Sequence, residues 1–180
     1  MPPPHRILDY FKMKAPPIQS PIRPARPEDV PDILEMIAEL AEFEKLSDQL
    51  IATETDFQNA LFSENPAAEA LVATDPADPE NLVGYAIFFS TFSTFVGKAG
   101  IWLEDIYVKP EFRGAKLGKM LLQTLAGIAK DRDAGRLEWC VLDWNQRAID
   151  FYEHIGSDVM PDWRICRMNR DELTRFADGE

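Results

Sequence analysis

Ile101-Trp102-Leu103-Glu104-Asp105-Ile106-Tyr107-Val108-Lys109-Pro110-Glu111-Phe112-Arg113-Gly114-Ala115-Lys116-Leu117-Gly118-Lys119-Met120-Leu121-Leu122 decides the fold of this chain. Its first part reads as a strand, with Trp102, Ile106 and Val108 on one side at period two and Leu103 and Tyr107 on the other. Pro110 ends the extended run because it has no N–H for a ladder. After Arg113-Gly114 the period changes, and Leu117, Leu121, Leu122, Leu125, Ile128 and Ala129 recur at helical spacing. A strand, a short basic turn and a helix N-terminus leave N–H groups unpaired at the positive end of a dipole, a favourable place for phosphate oxygens. The nucleotide P-loop pattern GxxxxGK[ST] does not fit, since the glycines are one residue too close and Met120 stands where the hydroxyl belongs. Gly114 and Gly118 do not fit the dinucleotide pattern GxGxxG either.

Working outward, the 180 residues are 46% hydrophobic and 28% charged, which suits one globular domain with a sizeable core. The formal charge of −12 argues against DNA or an anionic membrane as the main partner, because either would be repelled. It suits a cationic small substrate, and it equally serves solubility. Cys140 and Cys166 are too few and too far apart for a zinc site or a disulfide framework, so no metal is expected and a reducing, cytoplasmic setting is the default. No apolar run approaches the ~20 residues of a membrane span.

Residues 1–21 differ in character, being proline-rich and mildly basic, and read as an N-terminal extension or arm ahead of a domain over 22–180. Within that domain Ile22–Ala25 is a short strand. Glu28 to about Phe43 is an amphipathic helix with Val30, Ile33, Leu34, Ile37, Leu40 and Ala41 in one stripe. Thr53 and Asp56 mark the capped start of a second helix ending near Phe62. Residues 70–73 form a strand that a turn over 75–81 joins to its hairpin partner, 82–89. Beyond the central strand and helix, the nearly continuous apolar run 137–142 predicts a strand buried on both faces. Asn145 to Gly156 is a short helix opening on a cap residue and closing on a glycine. Trp163 to Met168 is a last strand, and Arg170 to Phe176 a terminal helical turn. The order implies an α/β (α+β) fold: a mixed, mostly antiparallel sheet of six or seven strands flanked by about four helices.

Two segments carry a family resemblance. The Arg113-x-x-x-x-Gly118 turn after an acidic strand resembles the pyrophosphate loop of the GNAT N-acetyltransferases, although Lys116 occupies the first glycine of that loop's usual pair. Asn145-x-x-Ala148-x-x-Phe151-Tyr152-x-x-x-Gly156 is similar to a second GNAT pattern, in the expected order. Residues 102–108, the helix end Glu39 to Glu44, and Trp163-Arg164 further resemble the diamine (spermidine/spermine) and thialysine acetyltransferase branch.

This resemblance implies acetyl-CoA as co-substrate, held by Ile106, Tyr107, Val108, Arg113, Gly114, Ala115, Lys116, Leu117, Gly118, Lys119, Asn145 and Tyr152. It implies Glu104 as the group that helps deprotonate the amine and Tyr152 as the general acid. Phe43, Glu44, Glu104, Asp105 and Trp163 are the implied walls of the acceptor site. Homodimers with cleft residues shared across the interface are also implied. Between residues 90 and 98 the polyamine-specific enzymes tend to carry an acid that this chain lacks, which points towards short diamines or a lysine-like amine.

The chemistry needs such groups. An alkylammonium has a pKa near 10.4, so presenting the free amine at neutral pH costs roughly 4.6 kcal/mol over about 3.4 units. A carboxylate, directly or through water, can accept that proton as nitrogen attacks the thioester, and a phenol can protonate the departing thiolate. Strand N–H groups beside Ile106 would serve the oxyanion if the strand splays from its neighbour. Each residue has a plainer reading too: Tyr152 as a core aromatic beside Phe151, Glu104 and Glu44 as solvated acids, Trp163 and Phe43 as packing. Competing functions are acetyl transfer to another amine, such as a protein or an antibiotic, or coenzyme A binding without catalysis.

Overall fold

The structure, a computed structural model, describes residues 6–13 and 20–179. It divides into two compact units, Met1–Cys140 and Val141–Glu180. The first unit contains α1 (Ile7–Met13), β1 (Ile22–Pro24), α2 (Val30–Glu44), α3 (Glu54–Phe62), β2 (Glu69–Asp75), β3 (Asp78–Ser93), β4 (Lys98–Val108), α4 (Leu117–Asp131) and β5 (Leu137–Trp139). The five strands form one sheet in sequence order, antiparallel throughout except for the parallel pair β4–β5. The long α4 connection explains that exception, since parallel neighbours require a crossover.

Local chemistry sets the helix ends. Thr53 accepts from the Asp56 N–H at 3.3 Å while the Asp56 carboxylate accepts from the Thr53 N–H at 2.8 Å, the reciprocal cap that starts α3. Lys45, at φ 61°, closes α2 in the left-handed conformation, its N–H reaching the Ala41 and Glu42 carbonyls. Apolar residues then choose the faces. Ile33, Met36 and Ile37 of α2 and Leu61 of α3 bury against Ala70, Val72, Leu82, Tyr85, Ile87 and Tyr107 of the sheet. On the opposite face α4 buries Leu117, Leu121, Leu122, Leu125 and Ile128.

The α1 helix falls inside the proline-rich extension, whose residues 1–5 and 14–19 lie outside the described part. Its Arg6 donates to the Glu64 carbonyl at 2.8 Å and the Ile7 N–H to Glu69 Oε2 at 2.6 Å. Tyr10 approaches α4 so closely that a Cβ added at Gly127 would lie 2.5 Å from its hydroxyl. This contact explains a glycine inside a helix, where it is otherwise unfavourable by about 1 kcal/mol.

Three expectations are corrected. Five strands are found among the described residues, not six or seven. The run 137–142 is a strand only over Leu137–Trp139, and it is half-buried because β5 is an edge with a neighbour on one side only. Residues 163–168 alternate like a strand but form no ladder with any described strand, and all six are exposed. Alternation supplies a suitable surface, whereas a strand also needs a partner for its N–H and C=O groups. The second unit therefore holds two helices, α5 (Gln146–His154) and α6 (Arg170–Ala177).

A fourth correction concerns β4 itself. Ile87 pairs with Asp105 but Phe88 pairs with Leu103, so Glu104 is an extra, unpaired residue: a β-bulge. One inserted residue flips the faces of everything beyond it. Leu103 consequently shares the α4 face with Phe88, while Asp105 and Tyr107 share the α2 face with Ile87 and Tyr85. Leu103 and Tyr107, which strict period two assigns to one side, are on opposite sides.

Candidate active site

The turn after β4 has the features of an anion site. Arg113 N–H donates to the Pro110 carbonyl, and its Nε donates to the Val108 carbonyl at 3.1 Å. Its guanidinium lies over the rings of Phe43 and Tyr107, 6.0 and 5.8 Å from their centroids. Gly114 takes φ +95° in open space. Lys116 caps α4 in the left-handed conformation, φ 64° and ψ 10°, and Met120 N–H is the first to bond back to its carbonyl. The first-turn N–H groups of Leu117, Gly118 and Lys119 thus have no carbonyl four residues behind them within the helix. No acid stands in that first turn, and Ala115, Lys116 and Lys119 are exposed or partly exposed around it. The sequence departure at Lys116 is significant here, because a lysine is held where glycine is at ease.

Beside this turn, no described strand pairs with β4 on its β5 side. Its parallel pairing with β5 covers only Ile101, Trp102 and Leu103 and stops at the bulge. Lys109 N–H donates to Val83 of β3. Alternate residues of a strand direct their N–H groups to alternate sides, so Ile106 and Val108 direct theirs towards the opened side. The bulge residue Glu104 is exposed and accepts from the Trp102 indole N–H at 2.9 Å.

The α2 face next to the bulge collects acids. Asp105 is half-buried, and burial, with the charges of Glu104 and Glu44, pushes its carboxyl up to about 6. Glu44, at the last turn of α2, is raised by burial. Tyr107 donates to Glu39 at 2.8 Å, and burial together with that bond pushes its phenol up to about 12. Phe43, the implied wall, is 43% exposed beside Glu44. The first unit thus gathers Phe43, Glu44, Glu104, Asp105, Ile106, Tyr107, Val108 and the residues 113–119.

Asn145, Tyr152 and Trp163 belong to the second unit. Asn145 caps α5, its side-chain oxygen accepting from the Ala148 N–H at 3.3 Å. Tyr152 is the buried residue of α5, and burial raises its phenol above the ordinary value, so it carries its proton at neutral pH. Trp163 is 73% exposed. Among the described residues no group of three His, Cys, Asp or Glu side chains is gathered to hold a metal, and no helix is long and apolar enough to cross a membrane.

Residues 34–156 match the acetyltransferase (GNAT) family. A thialysine N-epsilon-acetyltransferase of Sus scrofa is 42% identical over 164 residues, covering 87% of this chain and 96% of that protein. The chain belongs to the GNAT acetyltransferase family. An L-ornithine N5-acetyltransferase of Arabidopsis thaliana is 32% identical over 86% of both chains. Among solved structures, an integron cassette protein from the mobile metagenome of V. cholerae superposes with a TM-score of 0.72 at 24% identity, covering 89% of this chain and 99% of its own, and shows the same fold. This acetyltransferase is therefore an enzyme of a family that uses acetyl-CoA, and the exposed basic turn with its free helix N-terminus fits the diphosphate of that co-substrate.

Sequence reasoning missed two members of the acidic face. Glu39 was legible only as part of a helix end, and Tyr85 reads as one more apolar residue in the run 82–89. Its register opposite Tyr107 is what reveals it.

Proposed function

We propose that this acetyltransferase moves an acetyl group from acetyl-CoA to a primary amine of a small cationic metabolite, a diamine, polyamine or thialysine-like amine, by direct attack in a ternary complex. The observation that carries this reading is the bulge at Glu104, which ends the β4–β5 pairing and stands beside the uncompensated acids Asp105 and Glu44. Relatives named for thialysine and ornithine acetylation support the substrate class.

The first-turn N–H groups of α4, with Arg113, Gly114, Ala115, Lys116, Gly118 and Lys119, bind the diphosphate. Strand N–H groups of Ile106 and Val108 face the thioester arm and stabilise the oxyanion that forms on its carbonyl. The acceptor nitrogen, deprotonated by Glu104 directly or through water, bonds to that carbon. The C–S bond then breaks, the thiolate takes the Tyr152 proton, and the phenolate so formed takes the second proton that the acetylated nitrogen must lose, leaving amide, free thiol and neutral phenol. Asn145 orients the start of α5 for this step, and Phe43 and Trp163 wall the acceptor. The enzyme works as a homodimer in the cytoplasm.

Mass spectrometry of a diamine, polyamine, thialysine and ornithine panel incubated with acetyl-CoA tests the substrate class, and N-acetylated products are expected. Absence of product from every member, with acetylation of a protein or antibiotic amine instead, overturns it. Tyr152→Phe is expected to lower turnover by about 10²-fold or more while acetyl-CoA affinity is retained.

A further inference from the structure

Tyr85 is fully buried, yet its hydroxyl has no hydrogen-bond partner among the described residues. A buried polar group left unpaired costs about 1–3 kcal/mol, so the arrangement asks what the hydroxyl is kept for. Its neighbour across the β3–β4 ladder, Tyr107, makes a useful contrast. The two rings lie 6.3 Å apart, and the Tyr107 phenol is satisfied by Glu39. Tyr85 has no such acceptor.

Around that hydroxyl lie like charges. Asp105 sits diagonally across the ladder on the same face, paired with Ile87. Burial, then the charges of Asp105 and Glu44, hold the Tyr85 phenol well above its ordinary value. Every influence on Asp105 and on Glu44 opposes their ionisation, and among the described residues no cationic side chain relieves either. Arg113, which lies over the Tyr107 ring, is engaged at the Phe43 and Tyr107 rings and the Val108 carbonyl. Two carboxylates without a cation and an oxygen with free lone pairs are a matched set for one ligand group: an alkylammonium, which supplies a positive charge and three N–H donors.

We propose that Tyr85 is a specificity-determining contact for the acceptor, its hydroxyl oxygen receiving a hydrogen bond from a second ammonium whose charge Asp105 and Glu44 balance. This rests on the substrate class proposed above and adds a residue and a rule of selection. Glu104 and Asp105 are consecutive at the bulge, so a short acceptor can present its reacting amine to the first and its second ammonium to the pair formed by Asp105 and Tyr85. Acceptors with two cationic nitrogens are favoured over monoamines of equal length.

Steady-state kinetics at saturating acetyl-CoA with 1,4-diaminobutane, thialysine and n-butylamine tests this on the full chain, the monoamine being read as an inhibitor where it is not turned over. A hydrogen bond to a charged group is worth about 1.5–3 kcal/mol, so Tyr85→Phe is expected to raise KM for both dicationic acceptors about tenfold or more. The n-butylamine constant and the acetyl-CoA KM stay unchanged, and the melting temperature stays equal or rises because an unpaired hydroxyl is gone. Asp105→Asn, which keeps the Tyr85 ring, produces the same loss of discrimination. A diamine KM unchanged in Tyr85→Phe, or a fall in melting temperature with all constants moving together, overturns the assignment while leaving the substrate class intact. A wild-type enzyme that acetylates none of the amines overturns the substrate class, and this contact with it.

Discussion

On the α4 face of the sheet, Glu69 accepts from both terminal nitrogens of Arg132 at 2.7 and 2.8 Å and from the Ile7 N–H at 2.6 Å. On the α2 face, Asp105 and Glu44 are also partly withdrawn from water, but among the described residues no cation answers them. Glu69 and Asp105 hang from the same sheet, and Glu69 and Ile87, the partner of Asp105, stand on adjacent β2–β3 pairs. The difference is therefore one of partners rather than of depth. A carboxylate that structure needs is saturated by groups within the fold, with only the Arg132 Nε left over. Under the proposed function, Asp105 and Glu44 are left for a ligand to neutralise, at some expense in stability.

The largest effect that sharpens this comparison is on the saturated side. Arg132→Met strips a partly buried carboxylate of its cation and also removes the guanidinium stacked 5.9 Å from the Phe88 ring. It is expected to destabilise the fold by about 3–5 kcal/mol in denaturant unfolding. A loss below about 1 kcal/mol would place Glu69 in the same class as Asp105.

On the unsaturated side the sign reverses. Asp105 titrates near pH 6 in the fold and near pH 3.9 when unfolded, so the native state holds the extra proton between those values. The Asp105 contribution to stability accordingly falls as pH rises from about 4 to about 6 and stays lost above that, whereas the lowered carboxyls of Asp29 and Asp56 act in the opposite sense. Asp105→Asn, still faced by Glu104, Glu44, Tyr85 and the Tyr107–Glu39 pair, escapes the loss. It gains on the order of 1–3 kcal/mol at pH 7.5 and almost nothing at pH 4. Thermal melts of both proteins across that range check it, and a variant less stable at pH 7.5 would break the contrast. Under the proposed function, diamine affinity of the wild type is expected to weaken over the same interval as pH falls, because the carboxylate proposed to meet the ammonium is being protonated.

The smallest effect lies in the turn. Lys116 holds a left-handed conformation that disfavours a side chain by about 1 kcal/mol, partly offset in glycine by a more flexible unfolded chain. Lys116→Gly is thus expected to stabilise the protein by a few tenths up to ~1 kcal/mol. Isothermal calorimetry should show acetyl-CoA affinity changed by no more than the loss of one exposed charge.

The strand–turn–helix over 101–129 was legible because hydrophobic period and proline placement are local facts, and the Thr53–Asp56 cap because its partners lie three positions apart. The bulge was not legible. Period two runs through Glu104 without a visible break, and only the register against β3 shows that one residue is unpaired. That single insertion moved Leu103 to the other face from Tyr107 and brought Asp105 beside Tyr85. Residues 163–168 failed for a related reason, since a strand-like pattern does not say whether a partner edge exists. Tyr85 escaped notice because a tyrosine in an apolar strand is ordinarily part of the core, and its importance lies in a hydroxyl without a partner.

The account stands on the bulged strand as the seat of acceptor chemistry, separate from the turn that holds the diphosphate. Glu104→Gln measures this most directly, because it keeps the shape of the bulge and removes only the proposed proton acceptor. We predict turnover on 1,4-diaminobutane or thialysine reduced by about 10²- to 10⁴-fold, with acetyl-CoA binding by calorimetry within about twofold of wild type. Undiminished turnover would contradict the account, as would a parallel collapse of acetyl-CoA binding.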